Sequence, residues 1–294
     1  MSSPRVKILL TWCNENGIQM DPRIQVLESK NNQELADSTE SSRSSSSRGR
    51  GISVYSLEDL IDRSCSLVRI PKTSILSTKS CFLSQGITSA PYGHGAHLAL
   101  ALALYGEILR GQDSRWFGYL QSLPRETVDI AIFWGVEDVI NFRSCVCSSR
   151  GCIISSQSAI GDDVGSTCSS AEFPECAPSH QLLDGKRARM WLSCTEAEME
   201  LDGLMHEIRQ YYVSVVEPTL YAAFGRLRQA KAEHDVSVVV GGGIPHLDEC
   251  SNELNSVEPS LPGFCHAYSL VSSRAFLVDS YHGLSMVPIA DARF

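Results

Sequence analysis

The chain has 294 residues, 43% of them hydrophobic, enough to bury the core of one large domain or two small ones. A formal charge of −9 excludes a scaffold that grips phosphates through clustered Lys and Arg, so no direct nucleic-acid partner is expected. No apolar run reaches the ~18 residues that cross a bilayer, and the start MSSPRVKILLTWCNENG turns polar within a few residues, so the expectation is an intracellular protein, nuclear or cytoplasmic, without a membrane partner.

In chain order, Val6, Ile8, Leu9, Leu10 and Trp12 predict a short docking helix that ends at Asn16-Gly17, within an N-terminal helical element over 1–27. The stretch 28–50 is Ser-rich, has almost nothing to bury, and reads as a flexible linker. Order resumes over 51–93, where Ile52 and Val54, then Leu67, Val68 and Ile70, predict two short strands separated by an acidic turn and stopped by Pro71. From His94 the run HGAHLALALALYGEILRG is made of strong helix formers with apolar residues on most faces, which predicts a core helix stopped at Gly111. Asp113 is the expected N-cap of a short aromatic helix carrying Trp116, Phe117 and Tyr119 and ending by Pro124. A short helical or irregular aromatic element, IAIFWGVEDVINF, comes next. Residues 144–180 form a second loop insertion within a helical block spanning 94–235, whose later part is continuous except at Pro218. A strand-like VSVVV leads into a loop over 236–263, and the segment from 264 to 294 begins helical and becomes β or irregular. The layout is a short β region, a large helical block, and a second region that rejoins the first.

Several constellations invite a chemical reading. Cys145, Cys147 and Cys152, with Cys168 and Cys176 further on, are the densest of the 11 cysteines, but a C-x-C spacing is too tight for a zinc knuckle. A Ser- and Cys-rich loop of reduced thiols is the plainer account, and no metal site is expected. The glycines of VSVVVGGGIPH lack the spacing, following helix and downstream acid of a dinucleotide fold. Ser272 or Ser273 with Asp279 and His282 are hydrolase residue types without a nucleophile elbow, and Asp279 and His282 read more simply as turn residues. The tetrad Arg48 to Gly51 could let backbone N–H groups approach a small anionic ligand, although beside a Ser-rich run it also reads as linker.

Three stretches in fixed order carry more weight: GISVYSLEDLIDRSCSLVRIPKTSILS, SRWFGYLQSLPRETVDIAIFWGVEDV and SLVSSRAFLVDSYHGLSMVPIADA. Gly49, Gly51, Ile70 and Pro71 fit a Gly-x-Gly turn and an Ile-Pro strand end. Trp116, Tyr119, Leu120, Leu123, Pro124, Phe133 and Trp134 fit the insert, and Ser273, Arg274, Val287, Pro288, Ala290 and Asp291 fit the region on its C-terminal side. Together they resemble the SET-domain protein-lysine methyltransferases, in the branch that includes the Rubisco large-subunit methyltransferase, in which a helical insert splits the SET domain. The resemblance implies an α+β fold of small SET-type sheets interrupted by a large helical insert. It further implies S-adenosyl-L-methionine as cofactor and, as partner, a protein substrate carrying a target lysine. By the same resemblance Arg48, Gly49 and Arg50 lie at the cofactor's amino-acid end, Arg274 meets its carboxylate, and Asp291 opens the family's Asp-x-x-Asn-His segment. Here Asp291 is followed by Ala292, Arg293 and Phe294 and then nothing. The expectation is therefore a C-terminally truncated SET domain without its Asn-His pair, catalytic tyrosine or substrate lobe, with impaired activity and no assignable catalytic residue. The alternative is a non-catalytic protein-interaction module built on the helical insert.

Overall fold

Ser3 opens the first helix, α1 (Pro4–Glu15): its hydroxyl accepts the Val6 N–H, and Pro4 stands where a helix has no use for an N–H donor. The structure, a computed structural model, describes residues 3–28, 51–58, 65–88, 90, 92–140, 179–238 and 258–292. Helix α1 buries Val6, Leu9, Trp12 and Cys13, one face at helical spacing, and ends at Asn16-Gly17, where Gly17 takes a φ of +71°. The helix thus stops at the predicted Asn16-Gly17, and the rest of the element drawn over 1–27 is not helical. Two strands follow instead, β1 (Gln19–Met20) and β2 (Ile24–Glu28).

The expected strands are present as β3 (Ile52–Ser56) and β4 (Val68–Arg69), with Pro71 close behind. They do not pair with each other. β3 lies antiparallel to β2, Val54 opposite Val26, while β4 lies antiparallel to β1, Met20 opposite Val68. Each pairing gives an N-terminal strand too short to stand alone an antiparallel partner from the segment 51–93. β5 (Leu76–Ser77) belongs to a third sheet that closes only with the far end of the chain.

Helix α2 (His94–Arg110) has the predicted bounds, between Gly93 at φ +75° and Gly111 at φ +54°. Its side chains from Leu98 to Glu107 are buried, as the all-round apolar run requires. The short α3 (Phe117–Leu120) is not capped by Asp113, which sits in a preceding 3₁₀ turn; Ser114 accepts the Trp116 N–H at 3.2 Å instead. A 3₁₀ turn at Ala131–Phe133 and α4 (Glu137–Ile140) complete this stretch.

The later helices are α5 (Ser179–Trp191), α6 (Glu196–Tyr211) and α7 (Glu217–Val238). The break expected only at Pro218 falls first at residues 192–195, where Cys194 takes a φ of +63°. There Thr195 accepts the Glu198 N–H and the Glu198 carboxylate returns to the Cys194 N–H at 2.8 Å, a reciprocal cap that starts a new helix. Pro218 lies inside the first turn of α7, preceded by a π turn at Tyr212–Val216. A proline cannot donate to the carbonyl four residues back, so the turn before it widens rather than breaks. α7 also takes in Val236 and Val238, which the strand-like reading had assigned otherwise.

Helix α8 (Leu261–Arg274) packs alongside α2. Its N-cap Ser260 is bracketed by the Tyr105 hydroxyl, which accepts the Ser260 N–H at 2.7 Å and donates to its carbonyl at 3.2 Å. The chain then forms the hairpin β6 (Ala275–Asp279) and β7 (Gly283–Met286). β7 pairs with β5, Met286 opposite Leu76, so the two β regions rejoin across the helical block as expected of a split domain.

α1 reaches α3 at unusually short range. A Cβ on Gly118 would stand 2.4 Å from Cβ of Trp12, a backbone-anchored atom that cannot swing away. Gly118→Ala is expected to cost about 2 kcal/mol through overpacking, read as a lower urea midpoint at unchanged slope. An unchanged midpoint would show that α1 docks elsewhere.

Candidate functional site

The last turn of α8 carries Arg274, a cation placed favourably at a helix C-terminus. Its Nη1 donates to the main-chain carbonyl of Asp291 at 2.8 Å, while its Nε is buried and has no hydrogen-bond partner. Asp291 sits in a tight turn after β7, its N–H donating to Val287 O at 3.1 Å and Ala292 N–H donating to Ile289 O at 3.1 Å. Ile289 adopts a φ of +70°, a left-handed conformation that a β-branched residue avoids. Its side chain is 1% exposed, so packing holds the strained turn in place.

The Asp291 carboxylate accepts a hydrogen bond at Oδ2 from the hydroxyl of Tyr119, a fully buried side chain of α3. Tyr119 packs in turn against Trp12, ring centroids 6.1 Å apart, and Trp12 Nε1 donates to the Arg115 carbonyl at 2.8 Å. Burial pushes the Asp291 carboxyl up to about 6, opposed by the Tyr119 hydroxyl and the Arg274 charge. The same burial, with Asp291 beside it, lifts the Tyr119 phenol well above its ordinary range. Cys13 of α1 is pushed up to about 12 by burial and then by the Asp291 charge, which keeps it a thiol.

Of these groups Arg274, Ile289 and Asp291 border one cleft. It opens to solvent between Leu9 of α1, Ile52 at the head of β3, Ser122 and Leu123 after α3, and Arg274, Ile289, Asp291 and Ala292, about 270 Å³ of space that includes the open mouth. Arg5 fixes the α1 side, Nε donating to Gln121 O at 2.9 Å and Nη2 to Leu123 O at 2.9 Å, with Nη1 3.2 Å from Glu28. The cleft thus offers one buried guanidinium N–H without an acceptor and one carboxylate, on an apolar floor. That arrangement suits a small zwitterion: a carboxylate for the arginine, an ammonium for the acid.

Of the residues expected at the site, Arg274 and Asp291 are brought together. Arg48, Gly49 and Arg50 lie outside the described residues, although Ile52, just beyond Gly51, lines the same cleft. The cysteines from Cys145 to Cys176 and the glycines Gly241 to Gly243 also lie outside them. Among the described residues no cluster of His, Cys, Asp and Glu could hold a metal. The hydrolase residues do not assemble. Ser273 donates to Ser269 O at 2.8 Å within its own helix, while Asp279 binds Lys72 at 2.6 Å and closes the β6–β7 turn on His282. Sequence reasoning named Tyr119 only as part of a motif and missed Leu9, Ser122 and Cys13 as neighbours of the site. No local pattern links positions 172 residues apart.

No protein-family model matches the sequence, and no curated protein matches it. Solved structures do match. One is the SET domain of LSMT bound to lysine and AdoHcy, with a TM-score of 0.51 at 16% identity, covering 98% of this chain and 44% of that one. A second is Rubisco LSMT bound to sinefungin and monomethyllysine, with a TM-score of 0.50 at 16% identity and the same coverage. The chain has the SET-domain fold, with small antiparallel sheets split by helices, and spans 44% of the length of these solved chains.

Proposed function

We propose that this chain carries the amino-acid-end portion of an S-adenosylmethionine site in a protein-lysine N-methyltransferase. The observation that carries the reading is the buried, unpartnered Nε–H of Arg274 beside Asp291, in a fold whose solved examples hold AdoHcy or sinefungin together with lysine or methyllysine. A bare N–H in a buried place costs free energy unless a ligand satisfies it. The residues fit the group: Arg274 would receive the cofactor's carboxylate, and Asp291, ionised above about pH 6, complements its ammonium. When bound, S-adenosylmethionine supplies an electrophilic methyl group for the neutral amine of a protein lysine. The chain's own contribution is orientation and exclusion of water, which Leu9, Ile52 and Ile289 provide along the apolar floor.

Calorimetric titration of the 294-residue chain with S-adenosylmethionine tests the reading. Arg274→Ala removes a charged hydrogen bond of about 1.5–3 kcal/mol, so affinity is expected to fall about 10- to 100-fold. Equal affinity in the wild type and Arg274→Ala, with circular dichroism unchanged, would refute it.

A further inference from the structure

Arg274 is a long side chain with several rotatable bonds, and a buried N–H meets a ligand only if the guanidinium plane is fixed. One bond from α8 itself does not fix it. The Nη1 contact goes to the carbonyl of Asp291, which belongs to a turn held at Ile289 in a strained conformation. Packing of the buried Ile289 holds that turn on one side, and the Asp291 side chain can hold it on the other. The side chain of Asp291 reaches α3, at the hydroxyl of a tyrosine that is itself wedged against Trp12.

We propose that Tyr119 is a positioning residue of the cleft: its hydroxyl holds Asp291 so that the Asp291 carbonyl stays on Nη1 of Arg274 and Nε is presented for a ligand carboxylate. This rests on the reading of Arg274 as the carboxylate anchor. The path runs from α3 through the turn after β7 to the end of α8, three elements that no sequence neighbourhood joins. The charged and titratable groups around the Asp291 carboxylate are Tyr119 from α3, Arg274 from α8 and Cys13 from α1. Cys13 stays a neutral thiol, so the side chains that favour the carboxylate are the tyrosine hydroxyl and the guanidinium, aided by a main-chain N–H of Asp291 itself.

Tyr119→Phe keeps the ring that packs on Trp12 and deletes only the hydroxyl. Three readouts separate positioning from packing. In the ligand-free chain the Arg274 Nε–H resonance should shift, and the Asp291 carboxyl should titrate at higher pH than in the wild type, because a bond that favours the charged form is gone. Affinity for S-adenosylmethionine should fall about tenfold in the wild-type background and fall little further in Arg274→Ala, the mark of one residue acting through another. Equal losses in both backgrounds, or an unmoved Nε–H resonance, would overturn the proposal. Should Arg274→Ala leave affinity unchanged, the anchor reading falls by itself, and the Nε–H resonance still decides whether Tyr119 positions the arginine.

Discussion

Replacing Phe264 with alanine is expected to lower stability by about 3–5 kcal/mol, among the largest losses a single truncation produces. Phe264 is fully buried, and its ring stands 6.1 Å from Tyr211 at 27°, 6.1 Å from Tyr212 and 6.3 Å from Tyr105. Those partners come from α2, from the end of α6 and from the π turn, so one ring joins the α2–α8 pair to the later helices of the block. Two terms add: apolar surface returned to water, and a cavity that tyrosines fixed by their own contacts cannot collapse into. Tyr105 is held in this way by its two bonds to Ser260. Urea unfolding followed by circular dichroism measures the loss, and a change under about 1 kcal/mol would show that the insert does not depend on this contact.

The second expectation concerns acid. His266 is 2% exposed on α8, and burial depresses its pKa to about 4. A histidine whose folded pKa lies below its unfolded value contributes stability that is present above the unfolded value near ~6.5 and is lost as pH falls through the folded one. At 1.36 kcal/mol per unit the loss between pH 6.5 and 4 is about 3 kcal/mol. Asp291 acts in the opposite sense. Its pKa is raised to about 6, so its contribution is present below the unfolded value near ~3.9 and is lost as pH rises through 6. Asp291 keeps some exposure, which reduces its share to about 1–2 kcal/mol. In the wild type the two partly cancel over this window. His266→Gln should therefore lose the acid sensitivity and become more stable as pH falls from 6.5 to 4.5, whereas the wild type becomes less stable. Parallel urea-midpoint profiles for the two chains would exclude a buried neutral imidazole as the cause.

Local signals were sufficient for several elements. A dense run of helix formers bounded by two glycines defines α2, and Ser3-Pro4 with apolar residues at helical spacing defines α1. The passage from helix to β or irregular structure within 264–294 was also legible, though not the hairpin it forms. Two kinds of feature were not. β2 buries only Val26 and exists because β3 pairs with it, a partner on the far side of the Ser-rich segment. The break between α5 and α6 had a readable capping box at Thr195 and Glu198, but the surrounding helix formers and the more conspicuous Pro218 masked it. Proline breaks a helix only where the turn before it cannot adjust, and here the π turn at Tyr212–Val216 takes up the missing N–H.

At the candidate site the division is sharper. The order of the motifs showed a helical block parting two β regions, and their resemblance to the SET-domain family implied that Arg274 and Asp291 serve one site. Only the tertiary structure decided that Tyr119 holds the Asp291 carboxylate, that Nη1 of Arg274 is occupied while Nε is not, and that Leu9 of α1 lines the cleft. Propensity and periodicity act over a few residues, so a sequence can specify its helices and turns. A hydrogen bond between positions 119 and 291 depends on how α1, α3 and α8 pack, and packing is a property of the whole chain.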